Sequence, residues 1–124
     1  DMVNNFSHAT LAPPPSALGP GTWLYGGNKA LMRRVLASNT QANVFHVGFK
    51  ACDNYKGAEA AMPQVSCPVL FVLGSADQMT PPKAAQSLIN LCASPKVVKL
   101  PAGHSLMTEV PEGVLQALKD FLKL

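Results

Sequence analysis

The sequence predicts an α/β chain in which two parallel strands are joined by a crossover helix. Three observations carry this. Val69-Leu70-Phe71-Val72-Leu73 is an unbroken apolar run, rich in branched and aromatic types, as in a strand buried on both faces of a parallel sheet. Val97-Val98-Lys99-Leu100 is a second, shorter strand, ended by Pro101-Ala102-Gly103. Between them, Lys83 to Ala93 has helical spacing in Ala84, Ala85, Leu88, Ile89 and Cys92. A strand-helix-strand crossover sets both strands in one sheet, parallel and almost always right-handed.

Each strand is followed by a turn that carries a chemically useful side chain. After Leu73 come Gly74, then Asp77, then Thr80 with Pro81 and Pro82, which reads as the cap and first turn of the crossover helix. His104 lies as far beyond Leu100 as Asp77 lies beyond Leu73. Neighbouring strands are roughly 5 Å apart, and both side chains leave from the carboxyl edge, where open α/β sheets place their chemistry. A carboxylate and an imidazole are therefore expected to meet. Such a carboxylate fixes the ring's tautomer and stabilises the imidazolium formed when the other nitrogen takes a proton from a nucleophile.

Residues Cys67 to Leu124, with Gly74-Ser75-Ala76-Asp77-Gln78-Met79-Thr80-Pro81 and then Gly103-His104-Ser105 before a closing amphipathic helix, resemble the C-terminal end of an α/β-hydrolase. In that family the triad runs nucleophile, acid, histidine. The resemblance implies that Asp77 is the acid and His104 the base. The nucleophile has no counterpart: no Gly-x-Ser-x-Gly elbow occurs in the chain, and Ser75 lacks the small residue two positions on. The chain is thus expected to be the C-terminal portion of a hydrolase fold, cut inside its cap region. The implied activity is serine-type hydrolysis of an ester or related bond in a small-molecule substrate, through an acyl-enzyme and with no cofactor or metal. Nucleophile and oxyanion donors would come from upstream, leaving this chain inactive alone. The alternative is a stand-alone α/β binding module in which Asp77 and His104 never approach each other.

Composition fits a globular protein of one small domain: 124 residues, 48% hydrophobic, 14% charged. The net charge of +3 is spread along the chain, which argues against nucleic acid; Arg33-Arg34 reads as the wet face of a helix. No apolar run approaches the roughly 20 residues of a membrane span, so no membrane partner is expected. Cys52, Cys67 and Cys92 form neither a paired framework nor a metal pattern, which fits a reducing, cytoplasmic setting. An exposed sheet edge is expected to drive homo-oligomerisation.

Three segments follow from this. Residues 1–22 are a Pro/Gly-rich arm or linker, with four prolines and two glycines between Ala12 and Gly21; His8 there reads as an exposed polar residue. Residues 23–66 are a helical, cap-like segment. Asn28 caps a helix to about Ser38, with Leu31, Met32, Val35 and Leu36 on one face. Trp23 and Tyr25 precede it and either line a substrate pocket or pack against that helix, the second being the plainer reading. A second helix spans Gln41 to Lys56, with Phe45, Phe49 and Cys52 as an apolar stripe, Cys52 filling core and His46 facing water; Gly48 weakens it by about 1 kcal/mol relative to Ala. Residues 58–66 make a short turn or helix. Residues 67–124 are the β-α-β-α unit. Its last helix starts near Pro111 and buries Val114, Leu115, Leu118, Phe121 and Leu122. Met79, Leu106 and Met107 flank the acid and the histidine and could wall an acyl pocket, although packing between loops explains them equally well.

Overall fold

The computed structural model describes residues 22–124, with side chains described from Gly26 onward. The Pro/Gly-rich arm up to Gly21, with His8, lies outside the described residues, as do the side chains of Trp23 and Tyr25. Helix α1 spans Thr22–Ser38 and α2 spans Val44–Asn54. The start of α1 falls earlier than the Asn28 that its side-chain chemistry suggests. Gly26 and Gly27 lie within it, and neither has a neighbour that would meet an added Cβ. They cost about 1 kcal/mol each relative to Ala without breaking the helix, so Trp23 and Tyr25 belong to α1 rather than to a loop before it.

Helix α2 is shorter than the span Gln41 to Lys56. Asn43 sets its start, its side-chain oxygen accepting from the His46 N–H at 3.1 Å, which satisfies one of the amides left over in a first turn. Tyr55 closes it through N–H bonds to the carbonyls of Ala51 and Cys52. None of its residues is buried, and Cys52 is exposed. The expectation of Cys52 as core filling is therefore corrected: the stripe through Phe45, Phe49 and Cys52 is real in spacing, but none of its three residues is buried.

A one-turn helix α3, Ala58–Ala61, and a 3-10 turn, Met62–Gln64, lead into strand β1, Val69–Gly74. The crossover then runs through a 3-10 turn, Pro82–Ala85, and helix α4, Gln86–Leu91, into strand β2, Pro95–Leu100. The strands are parallel, in register from Val69 opposite Pro95 to Gly74 opposite Leu100. A one-turn helix α5, Leu106–Glu109, and a longer α6, Pro111–Leu122, complete the chain, with Pro111 in the first turn of α6, where its missing N–H is harmless.

The sheet is sandwiched. Adjacent side chains of a strand point to opposite faces. On one face, Leu73, Val97 and Lys99 line a groove shared with Pro82, Lys83, Gln86 and Ile89 of the crossover. On the other, α6 lies so close that a Cβ on Gly113 would come within 3.2 Å of Leu100 Cδ2. Burial is partial: β1 is half-buried over Val69 to Leu73 rather than enclosed, because among the described residues its sheet has a single other strand. Helix α6 likewise turns Ala117 inward, while Leu115, Leu118 and Leu122, expected in its buried stripe, are 54%, 43% and 59% exposed. Its apolar arc is wider than two strands can cover.

Candidate active site

The site begins at a glycine. Gly74 ends β1 and is buried against the turn after β2: a Cβ there would run into the carbonyl oxygen of Gly103 and come within 2.6 Å of that of Ala102. Only glycine permits so close an approach of two backbones. The ladder continues beyond the strands, with the Ser75 N–H donating to the Leu100 carbonyl at 2.8 Å and the Ala76 N–H to that of Ala102 at 2.9 Å. These bonds stitch the Asp77 turn to the His104 turn before either side chain is considered.

Asp77, 9% exposed, uses its two oxygens for two tasks. Oδ1 accepts the backbone N–H groups of Met79 at 2.8 Å and Thr80 at 2.9 Å, so it organises its own turn as aspartate does in such loops. Oδ2 faces across the gap, 2.9 Å from His104 Nδ1. The Thr80 hydroxyl donates to the same Oδ2 at 3.0 Å and lies 3.0 Å from His104 Nδ1. The separation that a non-catalytic module would predict is thus not found.

Burial by itself would raise the Asp77 carboxyl pKa; the Thr80 amide, the His104 ring, the Thr80 hydroxyl and the Met79 amide outweigh it and hold the group below its ordinary value. An ionised carboxylate only accepts. Nδ1 must then carry the ring proton, assigned from the hydrogen-bond network, which leaves Nε2 with a free lone pair. The His104 side chain is 37% accessible, so the ring is only partly covered by the protein. The pair can therefore accept a proton at Nε2 and stabilise the resulting imidazolium.

Two residues at the site have roles that the sequence pattern does not show. Thr80 was expected to cap the crossover helix; Pro81 occupies the position before the 3-10 turn instead, and the Thr80 hydroxyl turns back to Asp77. Glu109 accepts the N–H of Gly103 at 2.9 Å and that of Ser105 at 3.1 Å, bracketing the histidine. Its signal in the sequence is an acid one helical turn beyond the Gly-His pair, too common a pattern to single out. Of the apolar candidates, Met79 and Leu106 are half-buried, whereas Met107 is 71% exposed. The groove at Leu73 and Ile89 contains none of the three. Among the described residues no group of three or more His, Cys, Asp and Glu is placed to hold a metal ion.

A search of curated proteins gives no match. Among solved structures the chain is similar to one described as a membrane phospholipase A, a bacterial virulence factor, with a TM-score of 0.65 at 21% identity over 98% of this chain and 37% of that one. The chain thus spans little more than a third of that protein and shares the fold of that part, an α/β-hydrolase type. The family model described as serine hydrolase (FSH1) matches residues 25–111, a span that includes both Asp77 and His104, and on that match the chain belongs to the FSH1 serine hydrolase family.

Proposed function

We propose that this chain carries the acid–histidine half of a serine hydrolase site that cleaves an ester or related bond through an acyl-enzyme. The observation that supports it most directly is the 2.9 Å contact of Asp77 Oδ2 with His104 Nδ1, formed between turns that follow adjacent parallel strands. In this reading His104 Nε2 takes the proton of a serine hydroxyl as its oxygen attacks the substrate carbonyl. The same nitrogen returns the proton to the departing alcohol, and then activates water to release the acid. Asp77 holds the ring and stabilises its cation. Met79 and Leu106 are the candidates for the apolar wall around the substrate.

The 124 residues contain no Gly-x-Ser-x-Gly, so the serine and the oxyanion donors are assigned to a segment outside this sequence. Residues 1–124 alone are expected to leave a fluorogenic ester intact, since loss of one triad member costs orders of magnitude. In the protein that contains the segment, a fluorophosphonate is expected to label a serine outside residues 1–124, and His104→Ala to suppress that labelling. Labelling of Ser75 or Ser105, or ester turnover by residues 1–124 that disappears in His104→Ala, would overturn the assignment.

A further inference from the structure

The histidine turn is held from behind by a carboxylate that no hydrolytic step uses. Gly103 is buried, and its carbonyl side is pressed against Gly74, so its N–H needs a protein acceptor. Glu109 Oε2 supplies it at 2.9 Å, and Oε1 takes the Ser105 N–H at 3.1 Å. One side chain thereby grips the backbone immediately before and immediately after His104. The glutamate is fixed in turn by its own element: α5 folds back so that the N–H groups of Thr108 and Glu109 both donate to the Ser105 carbonyl, at 2.9 Å and 3.0 Å.

The consequence concerns the ring. His104 Nδ1 meets Asp77 Oδ2 only while the His104 backbone is set at the right height and angle beside the Asp77 turn. Asp77 is anchored by two amides and a hydroxyl of its own loop. On the histidine side the ladder ends at Ala102, whose carbonyl accepts from Ala76. Beyond that point the carboxylate is the cross-link that spans His104. We infer that Glu109 is a positioning residue for His104: it clamps the residues on either side so that the imidazole is presented to Asp77 with Nδ1–H inward and Nε2 outward. Charge-assisted bonds to backbone amides are the stronger kind, and a carboxylate offers two acceptors at a spacing that a neutral side chain does not.

This inference rests on His104 acting as the proton carrier, yet its test needs no turnover. The tautomer of His104 is read by 15N-detected NMR of the imidazole in the 124-residue chain, together with the exchange rates of the Gly103 and Ser105 amides. In Glu109→Ala both amides are expected to exchange at least about tenfold faster, the scale set by losing a bond to a charged acceptor. The His104 ring is expected to lose its Nδ1–H preference and move toward a mixed tautomer population. Glu109→Gln, nearly isosteric, keeps one acceptor and is expected to protect one amide and restore part of the preference; it carries the test if the alanine variant does not fold. Glu112→Ala, in the first turn of α6, is expected to change neither readout. A His104 ring that stays fully in the Nδ1–H form in folded Glu109→Ala or Glu109→Gln, while the amides lose protection, would overturn the inference and leave the acid–histidine reading intact. Failure of the labelling experiment above would overturn the proton-carrier role on which the inference rests, while leaving the tautomer and amide-exchange readouts of the clamp unchanged, so the two failures are told apart.

Discussion

At the scale of single residues, the site is a balance between burial and hydrogen bonding at Asp77. Burial disfavours its charge, and four hydrogen-bond donors more than offset that, so the folded pKa lies below the ordinary 3.8. The sign of the linkage follows: a carboxyl depressed in the folded state contributes stability above the unfolded value and loses it as pH falls from about 3.8 through the folded value, where the unfolded chain binds more protons. The urea midpoint gap between the native chain and Asp77→Asn is expected to be wide near pH 6 and to narrow toward about pH 3; an equal gap at both would show that the charge is not what stabilises the turn. Thr80→Val removes one of the four donors and is expected to cost about 1 kcal/mol and to let the Asp77 carboxyl titrate higher, whereas Thr80→Ser retains the native value. Asp77 and His104 were legible in the sequence because each follows an apolar run by the same short interval. Thr80 and Glu109 were not, because their bonds depend on how turns fold back, and a threonine before two prolines looks the same whether it caps a helix or serves a carboxylate.

At the scale of elements, the two strands and their order were readable from apolar runs alone, while helix limits were not. Helix α1 runs through two glycines, and the start of α2 was set by Asn43, a local bond that periodicity does not register. Partial burial of the strands and of α6 is equally invisible to pattern, since an apolar residue reads the same whether or not a neighbour covers it. Glycines separate the elements that must approach from those that merely touch. Gly74→Ala drives a Cβ into the carbonyls of Ala102 and Gly103, backbone atoms that yield only if the Asp77 and His104 turns separate; a loss of about 1–3 kcal/mol and of the Nδ1–H form of His104 is expected. Gly113→Ala meets only Leu100 side-chain atoms, at 3.2 and 3.4 Å. There the gain of up to about 1 kcal/mol in helix propensity and the squeeze on Leu100 oppose each other, and little net change is expected. Equal destabilisation by the two substitutions in urea unfolding would refute the distinction.

At the scale of the whole molecule, the open flank of β1 is the feature from which an expectation about behaviour in solution follows. The N–H of Val69 donates to Ser94 and that of Ser75 to Leu100. By the alternation of a strand, the N–H groups of Leu70 and Val72 therefore point away from β2. Among the described residues no strand lies on that side, and an unpaired, apolar edge is a template for a second chain. A competing apolar surface exists on α6, where Leu115, Leu118 and Leu122 are exposed. Sedimentation equilibrium of residues 1–124 is expected to give a mass above that of the monomer. Leu70→Pro deletes an N–H facing the open side, a place where a strand tolerates proline, and is expected to shift the population toward monomer while the far-ultraviolet circular dichroism is retained. If Leu118→Glu dissociates the assembly and Leu70→Pro does not, helix packing rather than strand pairing joins the copies; a monomer at every concentration would show that neither surface suffices.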